Sequence, residues 1–531
     1  MVVPAEGEWA QPVPPRKLRA AAASGFYFDE PYSAELHSFA LGFFENCLEL
    51  FAMSDHPPGP SSFLGLKEVR NMSRDLLGFS VGLAQRYGDV AAFHVGPVWF
   101  YQFTHPDQVQ EVLVKQAKKF HKPKRLKQIL GKWDGQGLVL SDDELWIRQR
   151  RMVQQSFHPR RVQGYAADMT RLTAAMFERW RGKTEVNIVE EFHRLTLDIV
   201  CKTLFGVDID DHAGIQQVVQ DVQDSAMLEM GRLIPLPDWL PLASKRRFRN
   251  SIGYMKQMID RIITERRRSR EDRGDLLSMM LLAVDSEGDG RGMSDQQARD
   301  EAMTLLLAGH ETTATTLIWT TYLLAAHADA QAEAAAEVAA VLGERTPTAE
   351  DAPRLATLER ALKESMRLYP AVYFTSREAI EPLEIAGCKI KPGSQVHLLP
   401  YILHRDPRWF ADPTAFRPER FTAGFEESLP ACAYIPFGAG PRACIGRGMA
   451  MMEATMILAS LLKRYELRPA AGQGTPATAA QISLHPAGPV RIAIRMRGED
   501  PSADSPNQEE PRKHDTVRIS EEATRTFNVT K

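Results

Sequence analysis

The chain has 531 residues, enough for one large domain or several ordinary ones. Apolar residues make up 44% and charged residues 25%, the balance of a globular protein with a real core, which excludes a fibrous or wholly disordered chain. A net charge of −3 gives no argument for nucleic acid, and five scattered cysteines without CxxC spacing exclude a disulfide framework and fit a reducing cytosol.

Residues 1–52 mix proline, alanine and charge without a lasting period, so an irregular N-terminal extension is expected, with a natural start at Met53. A native peptide from before Met53 would refute that start. The most apolar run, LGFFENCLELFAM, carries Glu45 and Glu49 and is shorter than the ~20 residues of a membrane span. It also lacks the basic flank and cleavage site of a signal peptide. SDHPPGP then leads into an ordered domain expected over residues 53–498.

Within it, FHVGPVWFYQF alternates as hairpin strands do. Helical spacing follows in ELWIRQRRMVQQSF, DMTRLTAAMFERW, FHRLTLDIVCKTLF and NSIGYMKQMIDRIITERRRSR. RLIPLPDWLPL is proline-rich and apolar, either a mobile access lip or a packed loop. Short strands return in LEIAGCKIKPGSQVHLL and VRIAIRMR. Residues 499–531 are polar and charged, and a disordered tail is expected there. The predicted fold class is mainly α with a small β-rich region.

From Ser294 a long helix is predicted to about Ala328, opened by a capping box of Ser294 and Gln297. Its middle is apolar on most sides and should be buried, yet it contains AGHETT, Ala308–Thr313. Glycine there costs about 1 kcal/mol against alanine, and buried His310, Glu311 and threonines are costly unless paired. Either these residues face a solvent cleft, or the helix passes a cofactor. In the second case Gly309 makes room for a small ligand and Glu311 with Thr312 moves protons.

LERALKESMRLYP places Glu364 and Arg367 on one helical face before Pro370, and FRPERF offers Arg420 in a proline-bent loop. A carboxylate between two guanidiniums would pin the segment that follows. That segment is FGAGPRACIG, Phe437–Gly446. Gly438, Gly440 and Gly446 let a flat ligand approach the backbone. The apparent helix after Cys444 places its sulfur at a helix N-terminus, which favours a thiolate. Phe437 is placed to shield the sulfur, and Arg442 to pair with an acidic group. A lone cysteine in a glycine-rich turn is ordinarily structural. Here FxxGxRxCxG is complete and follows AGHETT, ExxR and PERF in order.

On these motifs the chain resembles the cytochrome P450 superfamily over roughly Pro57–Arg497. The resemblance implies a triangular-prism fold and haem b (iron protoporphyrin IX) with Cys444 as axial iron ligand. It implies Glu311 and Thr312 as the acid–alcohol pair delivering protons to bound dioxygen, and Glu364, Arg367 and Arg420 as a structural triad. Trp146 and Arg150 of WIRQR match the family's propionate contacts, although an amphipathic surface would give the same spacing. Arg377 and Arg442 match further propionate ligands. His310 departs from many relatives; it faces the substrate or packs the helix.

The implied reaction is monooxygenation. VYFT (Val372–Thr375) and SLHP (Ser483–Pro486) would line an apolar pocket, with fatty acid as the first expectation and terpenoid or steroid next. No fused reductase is visible, so a ferredoxin or flavodoxin-type donor with its reductase is expected. KPKRLK (Lys122–Lys127) with Arg148, Arg150, Arg151, Arg160 and Arg161 forms either a basic docking face for that donor or an ordinary charged surface. A cytoplasmic monomer is expected, with membrane contact at most peripheral. The rivals are a haem-thiolate isomerase, dehydratase or peroxygenase needing no external electrons, and a non-catalytic haem sensor. The Glu311–Thr312 pair argues against both.

Overall fold

The computed structural model describes residues 56–208, 212–232, 240, 242–269, 271–285, 288 and 290–498. The expected extension, the polar tail and most of RLIPLPDWLPL lie outside the described residues.

The longer helices are α1 (Leu66–Arg74), α2 (Leu76–Tyr87), α3 (Lys124–Asp134), α4 (Asp143–Gln154), α5 (Ala166–Trp180), α6 (Ile188–Phe205) and α7 (His212–Met230). They continue with α8 (Ala243–Ser269), α9 (Leu276–Leu282), α10 (Asp295–Ala326), α11 (Ala328–Leu342), α12 (Ala356–Leu368) and α13 (Arg447–Arg464). The hairpin is present as β1 (Val90–Val95) and β2 (Val98–Phe103). With β3 (Phe120–His121), β5 (Thr375–Ala379) and β8 (Gln395–Leu398) it forms a five-stranded sheet in the order β1-β2-β8-β5-β3. Only the β2–β8 pairing, Phe100 against Gln395, is parallel. A smaller sheet joins β4 (Glu185–Asn187), β12 (Arg491–Met496) and β9 (Tyr465–Pro469). The pairs β6 (Leu383–Ile385) with β7 (Cys388–Ile390), and β10 (Thr478–Ala480) with β11 (Leu484–Pro486), complete the β content. The mainly α class with a small β fraction is therefore observed.

Local chemistry explains the boundaries. Asn187 caps α6 through the Val189 amide, and Gly206 ends it in the left-handed region at φ 68°. The expected capping box of Ser294 and Gln297 opens α10. This helix is the spine of the core. Among its large side chains, Trp319 stacks on Tyr369 at 3.8 Å between ring centres and donates its indole N–H to the Leu484 carbonyl at 2.8 Å. The stack adds about 1 kcal/mol beyond area burial. The bond anchors β11 to α10.

Gly309 lies where α10 meets α6. A Cβ there would lie 3.3 Å from a methyl of Val200 on α6. The glycine lets these two helices pack closely.

Glu364 and Arg367 of α12 are both 0% exposed. Arg367 holds the carboxylate bidentately at 2.7 and 2.8 Å, and Arg420 reaches the same carboxylate at 3.0 Å. The Arg417 amide donates to it as well, at 2.9 Å. The loop leading to Cys444 is thus fastened to the core.

Candidate active site

The cysteine loop is fixed by its own backbone. The Cys444 amide donates to the Phe437 carbonyl at 2.8 Å, and Ala443 to Gly440 at 3.0 Å. Gly440 has φ 69°, and a Cβ on it would lie 1.9 Å from the Leu113 carbonyl oxygen. Only glycine fits that close approach. Gly446 caps α13, so Cys444 stands two residues before the cap, as its sequence suggests. Phe437 contributes its carbonyl to the loop, and its ring lies against the Arg447 guanidinium at 5.7 Å.

Protein encloses Cys444 on most sides, yet its side chain keeps accessible surface. Burial pushes the thiol up; the Gly446 and Arg447 amides and the Arg150 and Arg447 charges oppose this. Arg150 also donates to the Ala443 carbonyl at 2.8 Å, so it braces the loop.

Beside the loop lies an unbalanced charge cluster. Arg442 donates to the Ser141 carbonyl at 2.7 Å and to Asp142, and sits over the Trp146 ring at 4.6 Å. Arg377 is 8% exposed; burial, then the nearby Arg442, lowers its guanidinium to about 10. Lys122 is held well below its usual range by burial, Arg377 and Arg442. Asp142, buried to 4%, is the carboxylate they share, and it also pairs with Lys127. Asp142 carries no motif and was missed by sequence reasoning, which placed Lys122 only in the basic run KPKRLK. A ligand bearing carboxylates beside a thiolate-bound metal fits this donor set.

Most of the cations expected to form either a docking face or an ordinary charged surface have acidic partners. Lys122 and Lys127 serve Asp142, Arg150 points inward, and Lys124 lies 3.3 Å from Glu378. Arg148 and Arg151 converge on Asp285, at 3.8 and 2.9 Å. Arg160 and Arg161 remain exposed, and Arg161 lies 3.9 Å from Asp272. Several of these cations are thus paired with acids, while the side chains of Lys124 and Arg161 keep most or about half of their surface exposed.

In α10, Ala308 is exposed although most of the helix is buried. Thr312 is half-buried, and its hydroxyl donates to the Ala308 carbonyl at 2.7 Å. Glu311 turns elsewhere. Its Oε1 accepts from Ser483 at 2.7 Å, and its Oε2 lies 3.8 Å from His193 Nδ1 of α6. Burial pushes the Glu311 carboxyl up, but His193, His310, Ser483 and Gln223 outweigh it and hold it below its usual range. His310 is a packing residue: it is 2% exposed, and its Nε2 lies 3.0 Å from the His193 carbonyl. A carbonyl only accepts, so that nitrogen carries the proton.

The segments expected to line a pocket are joined. Leu484 donates its amide to the Ala371 carbonyl at 3.0 Å, and the Tyr373 hydroxyl to the Gln481 carbonyl at 3.0 Å. Val372 (44% exposed) and Ile482 (39%) stand on these tied segments, both exposed although apolar.

A mainly helical domain with a glycine-cradled cysteine before a helix, and buried cations beside it, defines a haem-thiolate protein. The family model described as Cytochrome P450 matches residues 56–491, and the chain belongs to that family. The family binds haem through a cysteine thiolate. The chain is 38% identical to cyclooctatin synthase of Streptomyces melanosporofaciens over 80% of its own length and 92% of that protein's. It is 33% identical to cyclooctat-9-en-7-ol 5-monooxygenase of the same organism, over 75% and 88%. It is 28% identical to the pentalenene oxygenase of Streptomyces avermitilis, over 81% and 94%. Family and relatives make it a P450 monooxygenase, which takes electrons from a redox partner and acts on an organic substrate with O2. Among the described residues, no helix is long and apolar enough to cross a membrane.

Proposed function

We propose that the chain hydroxylates a terpenoid, with Cys444 as the axial thiolate and electrons arriving from a separate ferredoxin or flavodoxin-type donor. The observation that carries the reading is Cys444 itself: an accessible sulfur on a glycine cradle at the head of α13, beside buried cations that outnumber their carboxylate. Lys122, Arg377 and Arg442, with Trp146 and Arg150, would face the haem propionates. Bound haem supplies dioxygen activation, with one oxygen atom entering the substrate and the other leaving as water.

The chain's own residues bind and position. Val372, Ile482 and Ala308 offer apolar surface to the substrate. The Thr312 hydroxyl, tethered to the Ala308 carbonyl, presents its oxygen lone pairs for proton transfer, and the Glu311 carboxylate, ionised at rest, would pass on protons it takes from its polar neighbours. Terpenoid replaces fatty acid as the leading substrate class because relatives spanning most of this chain bear terpenoid-oxidising names.

The test has two parts. The dithionite-reduced protein with carbon monoxide is expected to show a strongly red-shifted Soret band, lost in Cys444→Ser. Titration with terpenoids, fatty acids and steroids is expected to give a spin-state shift for a terpenoid at the lowest concentration. A histidine-type band in the wild type would refute the ligand assignment. Tighter fatty-acid binding would refute the substrate class.

A further inference from the structure

Glu311 needs a source of protons, and its surroundings supply an unusual one. The carboxylate meets four polar side chains from three other parts of the fold and its own helix: His193 from α6, Gln223 from α7, Ser483 before β11, and His310. Ser483 also lies 3.4 Å from the Thr315 hydroxyl. Among the described residues, no lysine or arginine is among the groups that act most strongly on Glu311. His193 differs from the rest in its position. Its side chain is 19% exposed, against 10% for Glu311, so it keeps accessible surface beside the carboxylate. A second imidazole, His485 of β11, half-buried, acts electrostatically on His193. His310 cannot take this role: it is 2% exposed and its Nε2–H is committed to the His193 carbonyl.

We propose that His193 is the proton relay that reloads Glu311 from solvent, with His485 as the outer imidazole. This rests on the reading of Glu311 and Thr312 as the proton-delivery pair. Only protons move along this route; the electrons come from the external donor. Glu311 gives its proton toward Thr312; the neutral imidazole of His193 then accepts a proton from solvent at one nitrogen as it passes the proton of the other nitrogen to the carboxylate, so no imidazolate forms and one proton enters for each one delivered. The 3.8 Å between His193 Nδ1 and Glu311 Oε2 exceeds a hydrogen bond, and one bridging water or a turn of the imidazole spans it. His193 acts through Glu311 and is a positioning residue, not a catalytic one. Its ordinary titration range near neutrality suits two-way transfer. Burial, with His485 adding, lowers its pKa, and Glu311 opposes this, so its neutral form is ready to accept from water.

The test uses the full-length, haem-loaded protein and His193→Gln, with His193→Asn as the second variant should the first not hold haem. The red-shifted carbon monoxide band verifies folding and ligation in each. Two readouts follow. Difference infrared spectroscopy of the resting protein follows the Glu311 carboxylic-acid band, assigned by its loss in Glu311→Gln. Removal of His193 is expected to move its titration midpoint to higher pH. In turnover, the share of donor electrons ending in hydrogen peroxide is expected to rise several-fold, and the solvent deuterium isotope effect on product formation to grow. An unchanged peroxide share and isotope effect in His193→Gln, while Glu311→Gln and Thr312→Ala change both, would overturn the relay alone. Unchanged values in Glu311→Gln and Thr312→Ala would overturn the underlying pair instead.

Discussion

Removing the Arg367 guanidinium should nearly unfold this protein. Arg367 is 0% exposed and makes five hydrogen bonds: two to Glu364, and one each to the carbonyls of His404, Pro413 and Ala415. Arg367→Ala leaves Glu364 buried beside only Arg420 and the Arg417 amide, and deprives three carbonyls of a donor. Breaking a buried pair from one side costs about 3–5 kcal/mol, a large part of the 5–15 kcal/mol margin of a typical domain. Arg367→Lys keeps the charge but has three donors for five bonds, so two are lost, about 2 kcal/mol at ~1 kcal/mol each. Replacing both partners in Glu364→Met/Arg367→Met removes the stranded charge and should cost less than Arg367→Ala. Urea unfolding followed by circular dichroism measures all three. A wild-type midpoint for Arg367→Ala, or a double variant weaker than the single one, would refute the reasoning.

Three further outcomes follow from other parts of the fold. Gly440→Ala forces a Cβ to within 1.9 Å of the Leu113 carbonyl at a left-handed φ, so its carbon monoxide complex should lose the thiolate band; a normal spectrum would show that the loop adapts. Arg377→Gln removes one charged donor worth about 1.5–3 kcal/mol, so haem transfer to apomyoglobin should quicken about 10- to 100-fold, and an unchanged rate would remove Arg377 from the propionate set. Burial pushes Glu301 up to about 8 and Asp134 to about 7, the latter against a Thr304 bond. Folding there raises the pKa of an acid, so the folded state keeps protons that the unfolded chain releases. Stability should therefore fall as pH rises from the ordinary carboxylate range through about 8, and Glu301→Gln should flatten that fall in unfolding midpoints measured from pH 5 to 9.

The sequence made legible what is encoded locally. The capping box at Ser294, the β1–β2 hairpin and the spacing of Glu364 to Arg367 each lie within a few residues, and each is present. The cysteine loop was readable because glycine, arginine and cysteine must stand at fixed offsets around one flat ligand. Contacts across the chain were not readable. Arg151 meets Asp285 134 residues away, a pairing that no local pattern announces. Lys122 gained its place beside Arg377 only through the pairing of β3 with β5. The packing of Gly309 was hidden for a related reason: its neighbour Val200 lies on another helix. For His193 the sequence held no signal at all, since nothing in FHRLTLDIV marks a helix that will face Glu311.

The two buried charge clusters near the cysteine loop show how structure separates support from function. Around Glu364 the account closes: each nitrogen of Arg367 has an acceptor, and the carboxylate faces Arg367, Arg420 and a backbone amide. Such a cluster fixes a conformation and asks for nothing more. Around Asp142 it stays open, because Lys122, Arg377 and Arg442 gather at one buried carboxylate, with only the exposed Asp143 as a second acid near Arg442. Burying unmatched charge is costly, and the low-lying Lys122 and Arg377 register that cost. A fold retains such an arrangement where an anionic ligand completes it. The open cluster adjoins the loop of Cys444 through Arg442, two residues before the sulfur. Haem carries two carboxylates and a metal that a thiolate can hold, so one cofactor answers both features, and neither depends on sequence similarity for its meaning.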